Sequence, residues 1–202
     1  MLKRRLVKVA GLGIILVASY LLFTGGLTVA KAHLAQYLLE KSWQASRHSH
    51  PIKPWPGSDT FPVARLTIDR LDYSAIVLHG VAGESLAFGP GHLPASPTPG
   101  SIGNSVLAGH RDSHFQALKY LKIGDLITIE PRNAHSLSYR VYNLQIVNEY
   151  DLSVIENSDS REITLITCYP FNAVTPGGPL RYVASAVAVA GSEQPGRLRI
   201  AN

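Results

Sequence analysis

Cysteine is almost absent from this sequence, which contains one, Cys168, in 202 residues. A single cysteine excludes an intramolecular disulfide, so the chain is not a small scaffold stabilised by disulfides. Most free cysteines are small buried hydrophobic residues, and composition alone favours that interpretation. The alternative is a reactive thiol, which has to be argued from what surrounds Cys168.

Common motifs for serine nucleophiles, phosphate binding and metal binding are also missing. The chain has no Gly-x-Ser-x-Gly nucleophile elbow and no phosphate-binding loop. Six of its histidines lie outside any HExxH or Cys-pair spacing, so a zinc site is not expected. We therefore expect neither a metal nor a cofactor. These six histidines are His33, His48, His50, His79, His114 and His135.

Residues 61–202, the larger part of the chain, carry no net positive charge. Residues 61–202 contain eleven Lys or Arg and twelve Asp or Glu, a net charge of −1, whereas residues 1–60 contain eight and two, a net charge of +6. The basic character therefore belongs to the N-terminal segment, and the remainder has no general attraction for phosphate. This distribution argues against a nucleic-acid partner.

The N-terminal segment has the pattern of a membrane anchor. Four basic residues within the first eight precede an uncharged run from Val9 to Ala30, long enough for a helix to cross a bilayer of ~30 Å. The basic end should stay in the cytoplasm, giving a single-pass protein of the cytoplasmic (inner) membrane with an extracytoplasmic domain. A cleaved signal peptide is the alternative, because Ala30-Lys31-Ala32 has the form of a cleavage site. The length of the run favours the uncleaved anchor.

The sequence predicts three regions. Residues 1–30 form a basic tail and transmembrane anchor, and residues 31–60 form a stalk helix followed by a linker rich in proline. Residues 61–202 form the main domain, in which short strand-like runs alternate with Gly, Pro, Asn and Asp. Many strands, few helices and no βαβ rhythm predict an all-β barrel or sandwich. The predicted strands are Val63–Ile68, Ala75–Leu78, Ser105–Ala108, Leu126–Glu130, Leu137–Val147, Ile163–Thr167 and Tyr182–Ala190.

Two finer features of the main domain are also predicted. Apolar residues change phase between Val141 and Leu144, which indicates a bulge or bend inside one strand. Short helical segments are expected around Glu84–Phe88 and Ser113–Leu121.

Three segments end or begin a predicted strand with a chemically useful side chain. LAGHRD carries His110, TLITCYPF carries Cys168, and PLRY carries Arg181. A thiol, a proton carrier and a cation that can hold an oxyanion are what a cysteine nucleophile mechanism needs. Taken singly, a His at a strand end is more often a solvated residue, and an Arg that opens a strand is more often an edge charge.

Together, LAGHRD, TLITC and an Arg about a dozen residues after the cysteine resemble the sortase family, as does GPGHLP at 89–94. The residues after the cysteine are most similar to the class D and Gram-negative-type sortases. The resemblance implies an eight-stranded β-barrel with His110, Cys168 and Arg181 as its catalytic triad. It also implies that Cys168 cleaves an LPxTG-like C-terminal sorting signal through a thioester, which an acceptor amine then resolves. Substrate proteins with such a signal and the amine are the partners this implies.

Four further residues are candidates for substrate binding. Thr167 lies beside the cysteine, and Tyr169 lies where it can line the cleft or fill the end of the barrel. His92 in GPGHLP can line the cleft or make a structural hydrogen bond. Asp112 can orient His110 or serve as an ordinary turn acid.

Two other functions remain open from the sequence. An L,D-transpeptidase-like enzyme would be expected to carry its cysteine in a Ser-x-Gly-Cys context, whereas this chain has Thr-Cys-Tyr. A non-catalytic, membrane-tethered β-domain acting as a binding or scaffold module would keep Cys168 buried and inert.

Overall fold

The computed structural model describes residues 2–47, 50–132, 134–175 and 177–191. His48 of the predicted linker and residues 192–202 of the predicted main domain lie outside the described residues. The chain divides into two compact units, residues 1–38 and residues 39–202. The first unit belongs to a long helix, α1, and the second contains every strand found among the described residues.

Helix α1 runs from Leu2 to Ser46. Within the part of the chain that the structure describes, it is the one helix long and apolar enough to cross a membrane. The predicted apolar run from Val9 to Ala30 lies inside it. The side chains along 12–23 are largely exposed, as expected for a surface that faces something other than protein.

The second unit is a closed barrel of eight strands in the order β1-β2-β3-β4-β7-β8-β6-β5. Neighbouring strands are antiparallel except for the parallel pairs β2–β3 and β4–β7. This confirms the predicted all-β fold with short helices. The strands are β1 (Pro62–Ile68), β2 (Tyr73–His79), β3 (Gly91–His92), β4 (Gly103–Ala108), β5 (Leu126–Pro131), β6 (Leu137–Asn148), β7 (Arg161–Tyr169) and β8 (Leu180–Ala188). Helix α2 (Glu84–Phe88) and three 3₁₀ turns (Asp69–Leu71, Gln116–Tyr120 and Leu152–Ile155) complete the domain.

The strands alternate between a core face and an outer face. In β1, Ala64, Leu66 and Ile68 are fully buried, whereas the residues between them are partly exposed. In β7, Ile163 and Leu165 point into the same core. Because successive side chains of a strand point to opposite faces, Cys168 belongs to the outer face of this sheet.

Strand β6 contains the predicted irregularity. Its register with β8 shifts between Val141 and Asn143, which confirms the bulge. The helix at Glu84–Phe88 is also confirmed, while the segment predicted around Ser113–Leu121 forms the 3₁₀ turn Gln116–Tyr120.

Strand β3 was missed because it is two residues long and gives no alternating pattern. It forms because Gly91 has no side chain: a Cβ there would collide with the carbonyl of Gly80. The close approach places β3 between β2 and β4 and thereby closes the barrel.

The end of α1 is packed inside the second unit. Leu39 and Trp43 are fully buried and form a cluster with Ile76 and Leu78 of β2. Trp55 and Phe88 pack against this cluster with their ring centroids 4.9 Å apart.

Polar contacts hold the same region. Ser42 Oγ donates to the carbonyl of Ile52 at 2.5 Å, which fixes the segment after the helix. Arg65 pairs with Glu40 at 2.6 Å, and Arg47 pairs with Glu130 of β5. Residues 39–47 and 50–58, which belong to the predicted stalk helix and linker, therefore pack against the barrel strands.

We expect a variant lacking residues 1–38 to unfold cooperatively with near-native stability, and one lacking residues 1–60 to be much weaker. The longer deletion uncovers Ile76 and Leu78 and removes Leu39 and Trp43, and each buried large side chain contributes about 1.5–3 kcal/mol. Urea unfolding should therefore show a loss of roughly 3–6 kcal/mol for the longer deletion. Equal free energies of unfolding would show that this cluster is not part of the fold.

Candidate active site

The strand register brings Cys168, Arg181 and His110 together. Cys168 of β7 and Arg181 of β8 are directly opposite each other. Ala108 of β4 pairs with Ile166 of β7, so the same parallel offset brings His110 to the level of Cys168. Residues at one level of adjacent strands point to the same face, with Cβ atoms ~5 Å apart in such antiparallel pairs. Two neighbouring strands and the segment that follows a third therefore bring Cys168, Arg181 and His110 to one level of the sheet.

His110 lies just beyond the end of β4, on a tightly anchored segment. Gly109 N donates to the carbonyl of Ile166 at 3.1 Å, which continues the ladder by one residue. The Thr167 hydroxyl donates to the carbonyl of Gly109 at 2.7 Å. A Cβ on Gly109 would come within 2.8 Å of the Phe115 ring, so only glycine allows this packing. The backbone is fixed while the His110 ring itself is exposed.

Phe115 anchors the turn after His110 to the core. Its side chain is fully buried, and its N–H donates to the His110 carbonyl at 3.0 Å. The loop that carries His110 is consequently tied to both the ladder and the core.

Arg181 is held by three acceptors. Its Nη1 donates to the carbonyls of Gly178 at 2.6 Å and Leu180 at 3.0 Å, and its Nη2 donates to Glu149 Oε2 at 2.5 Å. Glu149 follows β6, and its own N–H donates to the carbonyl of Pro179 at 2.7 Å. Among the described residues, these contacts leave the Nε–H and one Nη2–H of Arg181 for another group.

Arg111 was missed by the sequence analysis. Its side chain is 3% exposed although it follows an exposed histidine. Nε and Nη2 donate to the two carboxylate oxygens of Asp112 at 2.8 and 2.9 Å. Nη1 donates to the carbonyl of Pro170 at 2.8 Å, and Nη2 also donates to the carbonyl of Ala173 at 3.1 Å. One guanidinium thus links the His110 segment to the chain that follows Cys168.

The sequence contained a weak signal for this role. Arg111 lies between the candidate residues His110 and Asp112, but nothing in the segment LAGHRD indicates that its side chain is buried rather than solvated. Only the carbonyls of a loop about sixty residues away identify it as a structural cation.

Asp112 is paired with Arg111 rather than isolated. The hydrogen-bonded guanidinium holds the pKa of this carboxyl below its usual value, with the charge of His110 acting in the same direction. The Asp112 side chain is largely exposed. It stays ionised at neutral pH and completes the Arg111 clamp.

The other predicted substrate-binding residues lie in different surroundings. Thr167 is buried, and its hydroxyl donates a hydrogen bond to the carbonyl of Gly109. Tyr169 is half-buried and packs edge-on against Phe171, with ring centroids 6.1 Å apart. Phe171 in turn packs against Tyr182 at the end of the core.

His92 is 2% exposed and makes a structural hydrogen bond, one of the alternatives left open by the sequence. Its Nε2 donates to the carbonyl of Pro97 at 3.0 Å. Burial lowers the pKa of the ring, so the imidazole is neutral at physiological pH.

We expect Arg111→Lys to loosen the segment 170–175 without unfolding the barrel. An ammonium keeps the charge but cannot reach Asp112, Pro170 and Ala173 together, because it lacks the planar fork. Hydrogen–deuterium exchange at 171–175 should become severalfold faster in the variant.

Arg70→Lys is the matched control. Arg70 also binds an aspartate, Asp125, through Nε and Nη2, and it also donates to a carbonyl, that of Tyr120. It lies on another part of the barrel, so exchange at 171–175 should be unchanged there. Equal exchange in wild type and Arg111→Lys would show that Arg111 does not hold the loop.

Comparison with known proteins gives a consistent result. A family profile described as the sortase domain matches residues 66–189. Sortase D of Bacillus subtilis (strain 168) is 31% identical over 119 residues, which is 58% of this chain. The match spans 59% of the length of that relative.

Solved structures agree with the fold. A sortase D5 transpeptidase of Clostridium perfringens superposes with a TM-score of 0.64 at 20% identity, covering 78% of this chain and 99% of its own. Sortase C-1 of Actinomyces oris superposes with a TM-score of 0.58 at 27% identity, covering 75% and 82%. At 20% identity, the similarity to the Clostridium structure supports a shared fold only.

The profile covers more than half of the chain and includes all three strand ends of the candidate site. Its match confirms the family predicted from the motifs, and the Bacillus relative agrees with the predicted class D character. The chain belongs to the sortase family.

Proposed function

We propose that this protein is a membrane-anchored cysteine transpeptidase. It cleaves an LPxTG-like C-terminal sorting signal and transfers the acyl group to an amine, thereby anchoring substrate proteins at the cell surface. The observation that carries the proposal is the register of β4, β7 and β8, which pairs Cys168 with Arg181 and brings the segment after β4, which carries His110, to the same end of the sheet.

In the first half-reaction Cys168 is the nucleophile. Its thiolate attacks the carbonyl carbon of the scissile Thr–Gly bond, and the carbonyl oxygen becomes an oxyanion. The C–N bond then breaks, and protonated His110 donates a proton to the departing glycine amine. The substrate is left as a thioester on Cys168.

In the second half-reaction an amine attacks the same carbonyl carbon. His110, now neutral, accepts a proton from the attacking nitrogen, and the C–S bond breaks to regenerate the thiolate. One peptide bond is broken and one amide bond is formed, so no oxidant, metal or cofactor is required.

Arg181 is the cation that faces the developing oxyanion. Three acceptors already hold its guanidinium, and within the part of the chain that the structure describes, its Nε–H and one Nη2–H remain for a substrate carbonyl. A donor fixed before the reaction stabilises the transition state without the cost of reorganising during it. Thr167 contributes indirectly, because its bond to Gly109 keeps the His110 segment against β7.

The N-terminal helix supports the proposed location. The helix is apolar over a bilayer-spanning length, and the basic residues before it favour a cytoplasmic N-terminus. The barrel then lies on the outer side of the cytoplasmic (inner) membrane, where sorting signals arrive during export. No observation favours the non-catalytic module or the L,D-transpeptidase-like enzyme.

Substitution tests the assigned roles. Cys168→Ala should abolish formation of the acyl-enzyme, because no other thiol exists in the chain. Arg181→Lys should lower the rate of acylation by roughly 10²–10³-fold, the usual effect of removing one oxyanion donor. A lysine offers a point charge in place of the planar fork.

Arg140→Lys is the matched control for Arg181. Arg140 lies on β6, its Nη1 donates to the carbonyl of Gly124, and it is outside the proposed site. Stopped-flow acylation of a fluorogenic sorting peptide gives all rates. Near-normal acylation by Arg181→Lys would remove Arg181 from the oxyanion role.

Topology is tested by proteolysis of spheroplasts. Protease added from outside should degrade the barrel while the cytoplasmic tail survives, and a tag placed before Lys3 should be cleaved only after lysis. A barrel protected in intact spheroplasts would overturn the orientation.

A further inference from the structure

A polar cavity of about 270 Å³ lies on the outer face of the sheet that carries Cys168. Its floor includes Asn104 of β4, Thr164 of β7, Ser185 of β8 and Asn143 of β6, which lie on neighbouring strands. Its wall is formed by Ser153, Val154, Glu156 and Asn157 of the connection between β6 and β7.

The strand register fixes how far this cavity is from the thiol. Thr164 and Glu162 lie four and six residues before Cys168 in β7, and even separations place them on the face of Cys168. At ~3.3 Å per residue, these positions are roughly 13 and 20 Å from the cysteine. An extended peptide bound along this face reaches the cavity about four to six residues from its scissile bond.

The wall and floor are joined by a network centred on Asn104. Its Nδ2 donates to the carbonyls of Val154 and Glu156 at 3.3 and 3.1 Å. Its Oδ1 accepts from the Thr164 hydroxyl at 2.8 Å, and its backbone N–H donates to Asn157 Oδ1 at 3.1 Å. The cavity is therefore formed before any ligand arrives.

The cavity is also acidic. Residues 149–162 contain five acidic residues and one arginine, a net charge of −4, whereas residues 61–202 as a whole carry a net charge of −1. Two of the five, Glu156 and Glu162, line the cavity. Glu162 is fixed by Tyr142, whose hydroxyl donates to Oε2 at 3.0 Å. A fixed carboxylate in a polar cavity favours a cationic guest.

We propose that this cavity is a subsite for a lysine or arginine side chain of the substrate. The side chain belongs to the fifth or sixth residue on the amino-terminal side of the scissile bond, immediately before the five-residue motif. This inference rests on the proposed function, and it adds a recognition element outside that motif.

The chemistry of the reaction selects the amino-terminal half of the peptide. That half stays bound to Cys168 through both half-reactions, so a preformed cavity can hold it throughout. The carboxy-terminal half must leave to admit the amine, so a fixed binding cavity on that side would slow turnover.

The experiment uses sorting peptides that share one LPxTG motif and differ only at positions five and six before the scissile bond. The four pairs are Lys-Lys, Gln-Gln, Leu-Leu and Glu-Glu. The acylation kcat/KM is measured on the full-length protein in detergent at low and high salt. At low salt, the Lys-Lys peptide should react about tenfold faster than the Glu-Glu peptide, and the other two should lie between them. A tenfold difference corresponds to the free energy that partly exposed ion pairs contribute. High salt should shrink the difference.

The double variant Glu156→Gln/Glu162→Gln should remove the preference for Lys-Lys over Glu-Glu. Asp159→Asn is the control, because it removes one charge from the same connection without lining the cavity. Thermal melts check that each variant is folded.

The outcomes separate this inference from the proposed function. If no peptide acylates Cys168, the proposed function fails and the subsite fails with it. If all four peptides react at one rate, or if Leu-Leu reacts fastest, only the subsite is wrong. A lysine preference that survives in the double variant, or one that appears only when the pair follows the scissile bond, also overturns it.

Discussion

The register of β7 between its two neighbours is the constraint on which the rest of the site depends. Parallel pairing with β4 brings His110 to the level of Cys168, and antiparallel pairing with β8 brings Arg181 to the same level. A shift of one residue in either pair would turn one of these side chains toward the core. The alternating burial of Ile163 and Leu165 opposes such a shift, because it would expose both to solvent. Core packing therefore sets the geometry of the chemical groups.

The loops at the ends of these strands are fixed by polar side chains as well as by the core. Arg111 joins the His110 segment to the carbonyls that follow Cys168, and Glu149 holds Arg181 from the end of β6. A buried or half-buried cation with several acceptors keeps one geometry, since any movement leaves charged donors without partners. These contacts consequently hold the segments that flank Cys168, Arg181 and His110 in one geometry.

The sequence predicted the chemical groups and the fold class, but not the contacts that orient them. Alternation, strand ends and turn residues are local signals, so the strands, the bulge in β6 and the segment carrying Cys168 followed from them. Strand β3 could not be predicted in this way, because the missing side chain of Gly91 matters only where the end of β2 packs against it. The clamp by Arg111 and the packing of Trp43 against Ile76 and Leu78 join residues far apart in the chain. No local sequence pattern predicts contacts between residues so far apart.

The most direct test of the account is the mass of the enzyme incubated with an LPxTG peptide and no added amine. Rapid acid quenching and mass spectrometry should find one acyl group per chain as a thioester, located on the tryptic fragment that contains Cys168, and hydroxylamine should remove it. A chain that consumes the peptide without such an adduct, or that carries the acyl group on any other residue, would contradict the assignment of Cys168 as the nucleophile.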